Sequence, residues 1–414
     1  MILQIIVSII LGLLAGTLTG LTPGIHINLL AIMLLSFSST LLNLTTPIIL
    51  AIFITSMAIT HTFIDYIPSI FLGAPDEDSF LSILPGHQLL LKGRAYYAII
   101  FTLYGSLTSL IIILILTPAF IKILPIIYPY IIKIMPLILI LISAHLIITE
   151  PNSSLQKNSK LWALIIFALA GFLGLATLNS NLSQPLLPLL TGLFGASNLI
   201  ISINQKTKIP KQKIVSLTKL RLKKTSIAKS TLASVLAAPF TAFLPGLGAS
   251  QAAIIGKQVT NLKDQREFLF LLGAINTIVM ALSFIALYSI NKTRTGAAVA
   301  ISQLLPNITY QNLILILFTI MITGILAFLL TIQLAKITAK NIHKIKYSKL
   351  SITILIILTF IILVFSDTTI KGKIISLIIF TTSTSLGIFT ILIQTKRMHL
   401  MGCLLIPTIL YYLF

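Results

Sequence analysis

The sequence predicts an all-α, polytopic membrane protein with about ten transmembrane helices, re-entrant helical hairpins and two inverted repeats. Three observations lead to this prediction. Hydrophobic residues make up 57% of the chain and charged residues only 9%, whereas a soluble domain carries about 25% charged residues. Apolar runs long enough to cross a hydrocarbon core of about 30 Å recur along the chain. Finally, two interrupted apolar segments recur in the same order in the two halves.

The apolar runs set the number of spans and place the protein in the cell membrane as a multi-pass protein. Because pairs of runs are separated by short connections, we expect the first two of them to form one hairpin and the next two another. The main predicted spans are Tyr97–Leu116, Ile131–Ile148, Leu161–Leu178, Leu186–Ile203, Phe268–Ile290, Leu313–Ala335, Leu350–Phe365 and Ile374–Ile393.

The charge distribution orients these spans. The net charge is +21, from 29 Lys and Arg against 8 Asp and Glu. Basic residues concentrate in short loops, as the positive-inside rule describes. The longest such loop, Asn204–Lys229, has nine basic residues and no acid, and we place it in the cytoplasm. It lacks the aromatic residues on which nucleic acid bases stack. The chain therefore divides into residues 1–203, a first repeat with associated helices; 204–230, the basic loop; and 231–414, a second repeat with C-terminal helices.

An internal repeat is visible in the two interrupted segments. Gly20–Asn28 contains Pro23-Gly24, and Ala242–Ser250 contains Pro245-Gly246. A second short apolar piece ending in Pro follows each one, after 62 residues at Pro85 and after 61 residues at Pro306. The count of spans puts the first of these pieces inside and the second outside, which is the arrangement of inverted repeats.

The Pro-Gly pairs predict an anion site near the bilayer midplane. Pro and Gly break a helix, and the next half-helix then begins with N–H groups that attract an anion. A tight turn between two spans is the alternative interpretation. The predicted substrate-binding residues are Thr22, Pro23, Gly24, His26, Asn28, Pro245, Gly246, Gly248, Ser250, Gln251 and Asn276.

His61 and Asp65 form a second candidate site inside an apolar run. They are four residues apart and share a face of a helix. A carboxylate at membrane depth is costly and faces a cavity or a partner. Both a coupling-ion site or gate and an interhelical hydrogen-bonded pair fit the pattern. Asn276 and Thr277 hold a comparable place in the second half.

A third candidate is the acidic stretch Asp76-Glu77-Asp78, for which a cation site and a solvated loop are both open. It lacks the spacing of an EF-hand, and no pair of the six His has metal-ligand spacing. The sequence therefore predicts no metal and no cofactor, apart from a coupling Na⁺ or H⁺. We find no Ser-His-Asp order and no phosphate loop, so the protein is not expected to be an enzyme.

Several of these motifs together resemble the large permease of the tripartite tricarboxylate transporter family, and its archaeal branch in particular. The resemblance covers roughly residues 10–310, and the C-terminal third matches only as generic transmembrane helices. This chain has Pro85-Gly86 where bacterial members have Asp-Gly. The motifs that carry the resemblance are Pro23-Gly24-Ile25, Gly73-Ala74-Pro75-Asp76-Glu77-Asp78-Ser79, Pro85-Gly86-His87, Lys92-Gly93-Arg94-Ala95 and Pro245-Gly246-Leu247-Gly248.

The resemblance implies secondary transport of citrate-like polycarboxylates. It also implies a small membrane subunit and an extracytoplasmic binding protein as partners, and it adds the motif residues Lys92 and Arg94 to the candidate site. A homo-oligomer is left open. Two other classes remain as alternatives: a polyprenyl-phosphate translocase, whose Pro-Gly cradles would hold a phosphate, and an intramembrane enzyme, for which only His61 and Asp65 approach a catalytic arrangement.

Overall fold

The computed structural model describes residues 2–22, 42–43, 45–72, 83–151, 158–204, 209–217, 220, 222–243, 249–262, 264–293, 295–344 and 347–414. These residues form α-helices joined by short connections, with no strand among them. Nine helices in this part of the chain are long and apolar enough to cross a membrane. The predicted all-helical, multi-pass architecture is confirmed.

The helices of the first half are α1 (Ile2–Leu21), α2 (Pro47–Ile64), α3 (Tyr66–Leu72), α4 (Ile83–Leu91), α5 (Ala95–Ile148), α6 (Ser159–Leu178), α7 (Leu186–Leu190) and α8 (Ser197–Asn204), with a π-helical turn, Thr191–Ala196, between the last two. Those of the second half are α9 (Lys224–Phe243), α10 (Ala249–Val259), α11 (Gln265–Ile290), α12 (Gly296–Leu304), α13 (Tyr310–Asn341), α14 (Tyr347–Phe365), α15 (Ile370–Leu392) and α16 (Gly402–Leu413).

Helix lengths show the internal repeat directly. Helices α1 and α9 each have 20 residues. The unit formed by α2 and α3 has 26 residues, and so has α11. The short helices α4 and α12 each have 9 residues. The long helices α5 and α13 follow in the same order. The two halves of the sequence therefore fold into equivalent series of elements.

Three glycines on one face of α1 allow a very close approach to α2. A Cβ atom built at Gly12 would lie 2.6 Å from the Phe53 carbonyl oxygen, and one at Gly16 would lie 2.5 Å from that of Met57. Spaced four residues apart, small residues of this kind let helix backbones meet in a membrane. Because later glycines meet later residues of α2, with Gly20 against Ile64, α1 and α2 run parallel.

The second half repeats this arrangement with a helical hairpin between its two long helices. Gly256 of α10 faces Ala233 and Ala237 of α9, so α10 folds back along α9. The Ser230 hydroxyl, near the start of α9, donates to the Glu267 carbonyl oxygen, near the start of α11. Helices α9 and α11 therefore run parallel, as α1 and α2 do. With 11 residues, α10 is about 16 Å long, about half of a hydrocarbon core.

The two repeats exchange their long helices. The Ser106 hydroxyl of α5 donates to the Gly273 carbonyl of α11 over 3.1 Å. In the other half, the Thr323 hydroxyl of α13 donates to the Ser56 hydroxyl of α2 over 3.2 Å. Each long helix of one repeat thus contacts the central helix of the other, which is the packing expected for two repeats related by a pseudo-two-fold axis.

The prolines that drew attention to the repeat do not occupy equivalent places. Pro85 is the third residue of α4, whereas Pro306 lies two residues beyond the end of α12. The matched spacing in sequence therefore arises from helices of equal length and not from a shared role of the two prolines.

One predicted hairpin is wrong. Tyr97–Leu116 and Ile131–Ile148 are not separate antiparallel spans, because both belong to the continuous 54-residue helix α5. Four prolines lie inside it, but the connecting segment has no Gly, Asn, Asp or Ser to form a turn. Without such residues, the loss of single N–H groups at the prolines does not reverse the chain.

Helix α5 joins two hydrophobic cores. Its N-terminal half, with Ile99 and Leu110 among its buried residues, packs in the core that also holds both repeats. Its C-terminal half, with Met135 and Leu139, packs in a second core with α6, α7, α15 and α16.

Charged residues tie the second core together at the end of α5. Glu150, with its side chain 2% exposed, lies 3.2 Å from the Lys396 ammonium and 3.1 Å from the His399 Nε2 atom. Burial raises the pKa of this carboxyl, but the hydrogen bonds from His399 and the Lys396 backbone N–H outweigh it and leave the pKa below its ordinary value. Nearby, Arg397 donates to the carbonyls of Leu193 and Phe194 in the π-helical turn.

Candidate substrate and ion site

The two central helices of the repeats, the α2–α3 unit and α11, provide the best described part of the candidate site. All residues from Phe268 to Leu287 of α11 are buried, and so is nearly all of the α2–α3 unit. These helices also contact each other. Polar side chains on them are therefore held in the interior of the repeat core and do not face lipid.

His61 and Asp65 lie on the last turn of α2 and just beyond it. Both side chains are 4% exposed. The Asp65 backbone N–H donates to the His61 carbonyl over 3.0 Å, so the two residues occupy successive turns of one face. Pro68, in α3, cannot donate to the helix at this point, which accounts for the break between α2 and α3.

Thr19 is a partner of His61 that sequence reasoning missed. Its hydroxyl lies 3.1 Å from the His61 Nδ1 atom, and both groups are buried. The close approach of α1 to α2 at Gly16 and Gly20 creates this contact. The signal was present in the sequence, since Thr19 directly precedes the third glycine of an evenly spaced series.

Asn276 and Thr277 supply unpaired polar atoms in the middle of α11. Asn276 is 2% exposed and Thr277 is fully buried. The Asn276 amide nitrogen and the Thr277 hydroxyl have no hydrogen-bond partner among the described residues. Buried polar groups are nearly always hydrogen-bonded, so this pair is available to a bound ligand or to water.

The two central units can be compared position by position. Asp65 and Ser283 are both the nineteenth residue of their 26-residue units. The Ser283 hydroxyl lies 2.9 Å from the hydroxyl of Thr295, the N-cap of α12. The equivalent positions thus carry an acid in the first repeat and a neutral hydroxyl in the second.

The Pro-Gly segments frame this region. Helix α1 ends at Leu21, and the next residue, Thr22, donates its hydroxyl to the Leu18 carbonyl. Helix α9 ends at Phe243 and α10 begins at Ala249. Ser250 and Gln251 are in the first turn of α10, where free backbone N–H groups attract anions. The other predicted residues of these segments lie outside the described part of the chain: Pro23, Gly24, His26, Asn28, Pro245, Gly246 and Gly248.

The motif residues Lys92 and Arg94 lie apart from the buried polar residues, at the C-terminal end of α4. Both side chains are exposed. Between them Gly93 adopts a positive φ of 70°, and the N–H groups of Gly93 and Arg94 donate to the carbonyls of Leu90 and Leu89. This is a Schellman motif, in which glycine ends a helix. The acidic residues Asp76, Glu77 and Asp78 lie outside the described residues.

Metal chemistry gains no support from this part of the structure. Among the described residues, no group of three or more His, Cys, Asp or Glu side chains is placed to hold a metal ion. The described site offers a buried carboxylate with a nearby imidazole, an unpaired amide and hydroxyl, and the first turn of a short helix. Such groups can bind a small anion and a monovalent cation.

Comparison with known proteins gives two matches and one negative result. A model of the tripartite tricarboxylate transporter TctA family matches residues 6–402. Uncharacterized protein MJ1079 of Methanocaldococcus jannaschii is 30% identical over 363 residues, which cover 87% of this chain and 88% of that protein. No solved structure matches the chain.

Proposed function

Because the chain belongs to the tripartite tricarboxylate transporter TctA family, we propose that it is a permease for a small organic anion. The substrate is a di- or tricarboxylate, and it crosses the cytoplasmic membrane by secondary transport. The family identifies a transporter component; the substrate class and the residues that bind it are our proposal.

The observation that carries this proposal is the duplicated series of helices around the buried polar residues. Repeats of this kind are typical of secondary transporters, which bind substrate where the repeats meet. The first turn of α10 supplies backbone N–H groups for a carboxylate. Asn276 and Thr277 supply an amide and a hydroxyl without partners among the described residues.

In this proposal His61 and Asp65 bind the coupling cation, H⁺ or Na⁺. A buried carboxylate needs a positive partner, and a proton or a sodium ion provides one during each transport cycle. An anionic substrate and a cation bound close together also stabilise each other at low dielectric. Loading of one site therefore favours loading of the other.

The proposed partners follow from the name of the family. A tripartite system has two further components, and we propose a small membrane subunit and an extracytoplasmic binding protein. The binding protein would deliver the substrate to the outer face of the permease. Uptake that requires both components would support this part of the proposal, and full uptake by the chain alone would contradict it.

Proteoliposome transport tests the function. The purified chain is reconstituted alone and with the two candidate partner subunits, and uptake of labelled citrate is measured under an inward Na⁺ or H⁺ gradient. Saturable, gradient-dependent uptake that succinate competes for and phosphate does not is the expected result. Flipping of labelled polyprenyl phosphate without uptake of any soluble anion would overturn the proposal in favour of lipid translocation.

A further inference from the structure

The basic loop between the two repeats is fastened to the turn at the end of α4. The Lys213 backbone N–H donates to the Gly93 carbonyl over 2.8 Å. The Gln212 side chain accepts from the Ala95 N–H over 2.9 Å and donates to the Leu90 carbonyl over 3.1 Å. We call this set of contacts the loop clip. It joins two segments that are more than one hundred residues apart in sequence.

The loop clip leaves no room for a side chain at its centre. A Cβ atom at position 93 would lie 2.8 Å from the Lys211 carbonyl oxygen, and Gly93 also has a positive φ. Only glycine satisfies both conditions without strain. The close approach of the two segments is therefore a specific feature of this turn.

Four cationic side chains surround the loop clip. All of them are exposed, and none has an ion pair among the described residues. The four are Lys92, Arg94, Lys211 and Lys213. Like charges repel at such distances, so the backbone hydrogen bonds of the loop clip hold them together against an electrostatic cost. An arrangement of this kind is stabilised when an anion binds.

The surrounding structure indicates which anion. Arg94 directly precedes α5, whose first residues, Ala95 and Tyr96, are fully buried at the start of a membrane span. The four cations therefore lie within about one helical turn of the hydrocarbon boundary, at the level of lipid headgroups. Lys and Arg in such juxtamembrane clusters bind anionic headgroups.

We propose that Lys92, Arg94, Lys211 and Lys213 form a binding surface for the headgroup of an anionic phospholipid in the cytoplasmic leaflet. The bound lipid holds the loop between the repeats against the end of α4. This surface is separate from the substrate and ion site, and the proposal does not depend on the identity of the substrate.

Native mass spectrometry of the full chain tests the proposal. The protein is reconstituted in nanodiscs of phosphatidylcholine with added phosphatidylglycerol, and the phosphatidylglycerol molecules retained after release are counted. Replacing the four cationic residues by Gln together should weaken retention at least about tenfold. Raised salt should weaken retention by the wild type in the same direction.

A matched control removes the same charge from another basic cluster. Lys336, Lys340, Lys344 and Lys349 are changed to Gln together, and retention should stay close to that of the wild type. Gln212→Ala, which opens the loop clip without a change of charge, should lower retention. If the control variant loses as much lipid as the test variant, the chain attracts anionic lipid only through its overall charge and the proposal fails.

A charge-conserving variant separates binding from folding. With Lys92, Lys211 and Lys213 all changed to Arg, retention should match that of the wild type. Equal retention by the wild type and a monodisperse four-Gln variant would also overturn the proposal. If the four-Gln variant does not purify, unchanged retention by Gln212→Ala would contradict it instead.

Discussion

Asp65 and Ser283 occupy equivalent positions in the two repeats, yet only Asp65 carries an ionisable group at membrane depth. The hydroxyl of Ser283 is already engaged with Thr295. If the repeats form one cavity, its charge is therefore one-sided, and a single coupling cation would bind on the side of the first repeat. The sequence predicted this carboxylate and its imidazole neighbour, but not Thr19, because the contact depends on how closely α1 approaches α2.

The first prediction concerns coupling. Asp65→Asn should abolish the dependence of citrate uptake on the ion gradient, because the neutral amide does not need a cation to be stable when buried. Exchange of labelled for unlabelled citrate without a gradient should persist. Ser283→Ala is the control and should remain coupled. Gradient-driven uptake by Asp65→Asn at the wild-type rate would contradict this role.

The second prediction concerns Asn276. Asn276→Leu removes an amide that is unpaired among the described residues and keeps a similar volume, so thermal stability should be equal or higher, by about 1 kcal/mol. Citrate uptake should show a KM raised about tenfold or more if the amide binds substrate. Ser289→Ala on the same helix removes a hydroxyl that already donates to Ile285 and should leave KM unchanged. An unchanged KM in Asn276→Leu would remove this residue from the site.

The third prediction concerns pH. The N–H and hydroxyl of Thr369, followed by those of Ser183, hold the pKa of Asp367 at about 2, below the ordinary 3.8. A lowered pKa stabilises the fold above the ordinary value, and this contribution is lost as the pH falls through the folded-state value. Asp367→Asn should therefore lower the melting temperature in detergent at neutral pH. The difference from the wild type should shrink below about pH 3.8, and a constant difference down to pH 2 would contradict the assignment.

At the scale of elements, glycine positions determine which helices meet. The sequence predicted most spans to within a few residues, because hydrophobic length decides where a membrane helix can lie. It did not predict that α1 and α2 are parallel neighbours, since that depends on backbone approach at Gly12, Gly16 and Gly20. It also divided α5 in two, because proline patterns alone do not distinguish a kinked helix from a turn.

The fourth prediction tests the contact between α1 and α2. Gly16→Leu places a side chain against the Met57 carbonyl and Thr60, so the helices must separate. We expect a loss of about 1–3 kcal/mol of stability, measured by thermal unfolding in detergent, together with loss of transport. Gly195→Ala is the control, because a Cβ there meets nothing closer than 3.7 Å. Equal stability of Gly16→Leu and the wild type would contradict the observed packing.

For the whole molecule, the sequence predicted two repeats with opposite orientation, and the described helices agree in order, length and exchange of partners. The loop clip also places the end of α4 on the same side as the basic loop, as the charge distribution had predicted. The residues of the Pro-Gly segments that would complete the site lie outside the described part of the chain. Their joint role therefore remains a prediction based on the helices that flank them.

The central claim is that equivalent points of the two repeats lie on opposite sides of the membrane. Arg94 and Asn307 are such points, because each lies just before the long helix of its repeat, and both are exposed. In a Cys403→Ser background, Arg94→Cys and Asn307→Cys are labelled in intact cells with a membrane-impermeant maleimide. We predict that Asn307→Cys reacts at once and that Arg94→Cys reacts only after the membrane is permeabilised. Reaction of both cysteines from the same side would contradict the inverted repeats and the transport site built on them.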